Sequence, residues 1–387
     1  MKKLFRKVLD INWTIAIVPI ILGIFGVLVV LSASAILTIK YGTSEISYAL
    51  KQATFVVAGI FAMFIVSVID FDIYQKYSKY IWALSIIFIL LGLFTPLTIV
   101  YNGYAKRGLN LGIIKFMPSD IYKIASILFL ANFLVWNKKN EKEYLSGFIF
   151  TSAIIGIPTM LIVLQPDLST SISILATLFT MYMIGGYQKK FLIPSIIIVA
   201  LALLAFFLAG MGYQMDRIRG WLDPEKYAYS SRGFSWQILN SLFAVSRGGF
   251  FGVGYGKSVL KFGYLSNEAT NDMIFAVIAE EFGFFGSVIL ICVIFFLFIL
   301  MIKEALECKN LYGKYVVFGI ASLYIYQSLI NIGVSTNLIP NTGITLPFIS
   351  YGGTSIIMYF VMMGIVLSVS RYNKSQRFNE KMPSKQE

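Results

Sequence analysis

Ten predominantly apolar runs alternate with polar stretches along the chain, near 13–38, 50–69, 80–100, 121–136, 145–164, 168–186, 191–212, 273–302, 315–338 and 352–370. About 20 such residues suffice to cross a bilayer as a helix, which satisfies its own backbone hydrogen bonds there. The pattern predicts an all-α polytopic membrane protein with about ten transmembrane helices, forming one membrane domain over residues 1–387. The fourth run is short but opens with Pro118-Ser119-Asp120, a helix-start pattern. Only the tight turn QPDLSTS, 165–171, separates the fifth run from the sixth. The first run follows a basic leader, MKKLFRKVLDINW, and SASA at 32–35 imitates a cleavage site. It is too long for a signal-peptide core and is expected to stay as the first helix. Neither a repeat of 20–50 residues nor a two-halves symmetry is visible.

Ten crossings place both termini on one side. The two tails and the short loops KYSK, NKKNEK, YQKK and KEALECKNLYGK hold 19 of the 32 Lys and Arg. Of the other 13, seven lie in the long segment 213–271, which counts little under the positive-inside rule. Both tails are therefore expected in the cytoplasm, and the large loop 213–271, with Asp272, outside. Residues 371–387 read as a polar cytoplasmic tail whose composition predicts disorder.

Composition agrees: 58% of the 387 residues are hydrophobic and 13% charged, with a mean hydropathy of +0.77. A soluble domain is roughly 45–50% apolar and about 25% charged. The +13 net charge follows partly from the sidedness, so it points to membrane lipids and not to nucleic acid. There is no histidine. Any general base must be a carboxylate, lysine or tyrosine, and a His-ligated metal is excluded. Cys292, in a span, and Cys308, in a loop, make neither a disulfide framework nor a zinc site.

Polar residues on the expected outer side gather in four places. Residues 101–120 carry Lys106, Arg107 and Lys115; residues 165–171 carry Asp167; the other two are the long loop and 335–355. The long loop interleaves Trp221, Phe234, Trp236, Phe243, Phe250, Phe251, Phe262 and Tyr264 with Arg219, Arg247, Lys257 and Lys261. Aromatic content of this kind fits a segment held at the membrane interface. Its stretch SRGGFFGVGYGKS, flanked by Arg247 and Lys257, could hold an anion through backbone N–H groups. The bland readings are solvated or headgroup-bound cations, aromatic anchors, and an Asp167 that only caps the sixth helix. In ATNDMIFAVIAEEFG, 269–283, Thr270 or Asn271 could cap a helix, Asp272 stands at its entrance, and Glu280 and Glu281 lie two turns inside. Carboxylates within a span are functional or paired. On an unbroken helix Asp272 and Glu280 are separated by a rise of ~12 Å, beyond the roughly 5–9.5 Å of a glycosidase acid/base pair. Asp272 is then a lone base, sufficient where the leaving group is already good, and Glu280 a structural and electrostatic support.

LPFISYGGTS at 346–355, QPDLSTS at 165–171 and NDMIFAVIAEEFG at 271–283 resemble motifs of the SEDS proteins of bacterial shape, elongation, division and sporulation (the FtsW, RodA and SpoVE group). The likeness runs the length of the chain, through KQ at 51–52 and RGLNLG with PSD in 107–120. RGGFFGVGYGKSVLKFGYL, 247–265, is more similar to the division branch than to the elongation branch. The resemblance implies a multi-pass enzyme of the bacterial cytoplasmic membrane, a peptidoglycan glycosyltransferase polymerising lipid II on the outer face. It implies Asp272 as catalytic base and Arg107 and Lys115 near the substrate. Asp167, Arg247, Lys257, Ser350 and Tyr351 are further expected substrate-binding residues. No metal motif is present, although a divalent cation, Mg or Mn, could accompany the diphosphate. Implied partners are a class B penicillin-binding protein, which crosslinks, and other divisome proteins. Three positions depart from the family pattern. Thr270-Asn271 stands where His-Thr is common, Gly108 where Trp is common, and Asp120 where Glu is usual.

Other classes stay open at this level: a lipid II flippase, an elongation-type polymerase, a small-solute transporter, and a scaffold for the penicillin-binding partner. A transporter should concentrate ionisable groups at the membrane midplane. Here they cluster outward.

Overall fold

The computed structural model describes residues 10–35, 46–101, 105–110, 112, 115–139, 144–165, 167–185, 212–228, 234–262, 265 and 269–381. Nine long helices among these coincide with nine of the ten apolar runs. They are α1 (Trp13–Ala33), α2 (Ile46–Val68), α3 (Phe71–Phe94), α4 (Pro118–Lys139), α5 (Tyr144–Val163), α6 (Leu168–Ile184), α10 (Ile274–Glu307), α11 (Leu311–Ser335) and α12 (Gly353–Lys381). Seven of the nine are long and apolar enough to cross a membrane. The run 191–212 lies almost wholly outside the described residues, as does Tyr264. Local chemistry sets several starts. Asn12 accepts from Thr14 N at the head of α1, and Asn310 from Tyr312 N and Gly313 N at the head of α11.

The bundle is apolar on its outside, as lipid solvent requires. Ile21, Phe61, Phe94 and Ile299 are exposed, whereas Gln52, Ser78, Ser173, Gln327 and Asn331 are buried. Helices approach closely where side chains are small. A methyl group at Gly364 of α12 would stand 2.6 Å from the Met63 carbonyl of α2.

The two ends of the bundle differ. At one, Asn12 Nδ2 donates to Glu304 Oε1 at 2.9 Å, and Asn373 Nδ2 to Glu304 Oε2 at 3.0 Å. Arg371 reaches Asp70 and the Val68 carbonyl at the same end. The start of α1, the end of α10 and the last turns of α12 thus share one face, as two tails on one side require. Residues 371–381, expected to be disordered, instead continue α12, with Arg371 and Asn373 buried against this cluster.

The opposite end carries everything else. Where the apolar pattern placed the end of the third run and a polar stretch, a small antiparallel sheet forms from β1 (Thr98–Tyr101), β2 (Ala105–Asn110) and β3 (Lys115–Phe116). Ile99 pairs with Gly108 but Val100 with Lys106, so Arg107 is the extra residue of a bulge. The large loop builds α7 (Gly212–Leu222), the single turn α8 (Pro224–Tyr227) and α9 (Phe234–Gly248). Trp221 Nε1 donates to Asn337 O at 3.0 Å and Ser241 Oγ to Ser335 O at 2.6 Å, docking the loop on the 335–352 segment.

Candidate active site

Asp272 lies in a turn, not on a helix. The following helix starts at Ile274, and its N-cap position is Met273 with no side-chain cap; neither Thr270 nor Asn271 caps it. Backbone contacts hold the turn instead. Its three successive carbonyls accept from three donors: Thr270 O from Tyr351 N at 2.8 Å, Asn271 O from Ser350 Oγ at 2.7 Å, and Asp272 O from Asn331 Nδ2 at 2.9 Å. Gly343, at φ +78°, faces the carboxylate, and a methyl there would stand 3.2 Å from Asp272 Oδ2. Ser350 is buried, and its hydroxyl also accepts from Leu346 N at 2.7 Å. It therefore serves the site through the backbone. Gln52 Nε2 donates to Ser350 O at 3.1 Å. Tyr351 sits edge-on to Tyr48, and burial, then Tyr48, pushes its phenol up.

The helix α10 breaks at Gly283 (φ 68°, ψ −167°). Only the nine residues before the break belong with Asp272; the 24 after it are long enough, at roughly 36 Å, to span the hydrocarbon alone. Glu280 and Glu281 thus sit in the short segment before the break, on the Asp272 side of it. The turn after α9 stitches the break: Val253 N donates to Glu280 O and Gly254 N to Glu281 O, while Phe284 N and Phe285 N donate to Gly249 O and Phe250 O.

That turn is the glycine-rich stretch read as an anion loop. Its Val253 and Gly254 amides are spent on carbonyls, and the carboxylates gathered beside it are the chain's own, held chiefly by side chains. Glu280 accepts from Arg247 Nη1 at 3.1 Å, Ser258 Oγ at 2.5 Å and Val259 N at 3.0 Å. Glu281 accepts from Lys261 Nζ at 3.0 Å, Ser32 Oγ at 2.5 Å and Ser258 N at 3.4 Å. Lys261, 1% exposed, also donates to Ser32 Oγ at 2.7 Å and Gly256 O at 2.8 Å. Arg247, expected to bind substrate, is thus held to Glu280 on a partly exposed side chain, and Lys257 stands exposed on the same turn.

The cations lie along a second edge. Arg107 on its bulge reaches Asp167 at 3.9 Å, and Asp167 also caps α6 by accepting from Thr170 N. The capping reading of Asp167 is observed, and its charge partner here is Arg107. Lys115 is exposed on β3. One turn into α4, Lys123 pairs with Asp120 at 2.9 Å, and Asp120 accepts from Ser355 Oγ at 3.2 Å. Ser355 follows the 346–352 segment, whose Ser350 and Tyr351 grip residues 270–271, so Asp120 is tied to the element that also holds the Asp272 turn. Among the described residues no three acidic or sulfur groups converge to hold a metal.

The FtsW/RodA/SpoVE model, described as "cell cycle protein", matches residues 12–375. The chain belongs to this family. Stage V sporulation protein E of Bacillus subtilis (strain 168) is 34% identical over 363 residues, covering 93% of this chain and 97% of the relative. A protein of Saccharophagus degradans named "Probable peptidoglycan glycosyltransferase FtsW" is 34% identical over 324 residues, covering 83% and 82%. Among solved structures, a chain of a peptidoglycan synthase complex, described under "structural coordination of polymerization and crosslinking", superposes with a TM-score of 0.74. It is 22% identical, over 94% of this chain and 98% of that one, and so carries the fold alone.

Two of the three departures of this FtsW/RodA/SpoVE member sit at contacts the structure describes. At 270–271 the contacts to the 350–351 segment run through backbone carbonyls, so side-chain identity there is secondary. Asp120, though short, still reaches Lys123 and Ser355. Three residues escaped the sequence reading, Lys123, Asn331 and Arg217, whose Nη1 donates to Asn341 O at 2.9 Å, and so did the pairing of Lys261 with Glu281. A signal existed for Lys123, an ammonium inside an apolar run. Asn331 had none, because one asparagine in a span says nothing of which carbonyls it meets.

Proposed function

We propose that this multi-pass membrane protein is a peptidoglycan glycosyltransferase that polymerises lipid II at the outer face of the cytoplasmic membrane. The observation that carries this is a single carboxylate, Asp272, on a turn whose three carbonyls are pinned, at the same end of the bundle as Arg107 and Lys115. Relatives named peptidoglycan glycosyltransferase support it. Asp272 accepts the proton of the acceptor sugar's 4-hydroxyl as that oxygen bonds to the donor's anomeric carbon. The bond from that carbon to the diphosphate breaks, inverting the centre, and undecaprenyl pyrophosphate leaves with the electron pair. Cations replace a general acid, because the departing group needs charge stabilisation and not a proton. Arg107 and Lys115 would supply it.

The division-like stretch 247–265 and the FtsW-named relatives favour septal synthesis. A class B penicillin-binding protein would crosslink the product, and the structural neighbour's complex joins the same two activities. The test is purified protein, with and without that partner, incubated with lipid II and read as glycan chains on a gel. Asp272→Asn, nearly isosteric but unable to take the proton, should abolish chains while keeping abundance and partner binding. Chains at wild-type yield from this variant would remove Asp272 from the mechanism.

A further inference from the structure

The Asp272 turn is clamped mainly by backbone and hydroxyl donors, with one exception. Asn331, on α11, is fully buried. Its single amide nitrogen donates twice, to Asp272 O at 2.9 Å and to Ile344 O at 2.7 Å. Its Oδ1 is buried with no hydrogen-bond partner among the described residues. A buried amide held by its donor half alone is placed for what that half does. It joins the residue bearing the carboxylate to the 341–346 segment, whose Gly343 packs against that carboxylate. The neighbouring carbonyls, Thr270 O and Asn271 O, are gripped from the far end of the same segment, by Tyr351 N and Ser350 Oγ. Asn331 thus links the bundle interior directly to the Asp272 carbonyl and to the 341–346 segment that packs against its carboxylate.

We propose that Asn331 is a positioning residue for the transfer reaction: its two donated bonds fix the Asp272 carboxylate against Gly343 in the geometry that receives the acceptor proton. This rests on the reading of Asp272 as the base. Asn331 touches no substrate, so substrate is held by other groups and only the reactive alignment depends on it. A misplacement of about 1 Å costs on the order of a hundredfold in rate.

The experiment combines kinetics with hydrogen exchange on full-length protein in detergent. Asn331→Leu keeps the volume and removes both donors; Asn331→Asp keeps the shape and removes the NH2 group. With lipid II as substrate, both should lower turnover by roughly a hundredfold and leave KM within about threefold, rates being normalised to folded protein. Exchange should rise in peptides covering 270–276 and 342–351, where the Leu346 and Tyr351 amides belong to the clamp. The rest of α11 should stay protected. Turnover near wild type in both variants overturns the proposal, as does unchanged exchange in those two peptides. Exchange rising along all of α11 would show a purely structural role and overturns it too. If wild-type protein, with its partner, makes no glycan at all, the polymerase reading itself fails, and the exchange pattern then shows only whether the clamp exists.

Discussion

Lys261 and Glu281 provide the sharpest energetic test of the outer layer. Both are 1% exposed, and their ion pair at 3.0 Å joins the glycine-rich turn to α10 and, through Ser32, to α1. Lys261→Met removes an ammonium whose three donors are all used. Glu281 would then keep only the Ser32 hydroxyl and the long 3.4 Å bond from Ser258 N. Orphaning one partner of a buried pair costs about 3–5 kcal/mol, whereas replacing both by apolar groups of similar volume is often neutral. The double variant Lys261→Met/Glu281→Leu still orphans the Gly256 carbonyl and Ser258 amide, about 1–3 kcal/mol. It should therefore cost less than either single change, a coupling of about 3 kcal/mol or more, on the order of a hundredfold in the opening constant. The opening is local, so native-state hydrogen exchange of the Val253, Gly254, Ser258 and Val259 amides is the right assay. Additive single effects, or a Lys261→Met cost below about 1 kcal/mol, would show that solvent reaches the pair and that the buried-clamp argument is wrong.

Glu280→Gln keeps shape and part of the hydrogen bonding and should reduce polymerisation only partly; Glu280→Ala orphans the Val259 amide and Ser258 hydroxyl and should melt earlier, by about 2–4 kcal/mol. A Gln variant as stable as wild type yet as inactive as Asp272→Asn would move Glu280 into the proton-transfer chemistry. Lys115→Ala should impair polymerisation with no change in topology, read by glycan gels and loop labelling; full activity in both Lys115→Ala and Arg107→Ala would return these cations to the lipid headgroups. Gly283→Ala demands a positive φ and puts a methyl 2.2 Å from Gly252 N, so it should abolish exchange protection across 249–254; unchanged protection there would refute the stitched break.

Spans were legible because bilayer thickness imposes a length that hydropathy alone reports. The bulge that aims Arg107 and the sheet around it were not, since six-residue β2 and two-residue β3 fall below any periodic signal. Asp272 and Glu280 stood out as carboxylates beside an apolar run, and the expectation that Glu280 needs a partner was met by Arg247 and Ser258. The separation between Asp272 and Glu280 was argued on one continuous helix, and the turn at 271–273 does not provide one. Glycine-rich composition suggested a loop able to hold an anion through backbone N–H groups, whereas the carboxylates found beside it are the chain's own and accept chiefly from Arg247, Ser258, Val259 and Lys261. It could not say that the anions come from twenty-odd residues downstream, because long-range pairing leaves no trace in local spacing.

The break at Gly283 also divides α10 by what reads it. Membrane insertion weighs an apolar segment by the residues that will lie in hydrocarbon, and a central acid costs roughly 2.5–3.5 kcal/mol. Between Phe284 and Ile302 the run has no charged residue, so the segment that must partition into lipid carries none of that penalty. The two acids ride on the preceding turns and are desolvated only later, when the 247–262 turn and Ser32 of α1 close over them. Chain entry into the membrane is thereby decoupled from construction of the outer layer, and a substitution that ruins the clamp can leave a fully inserted, correctly oriented and inactive protein.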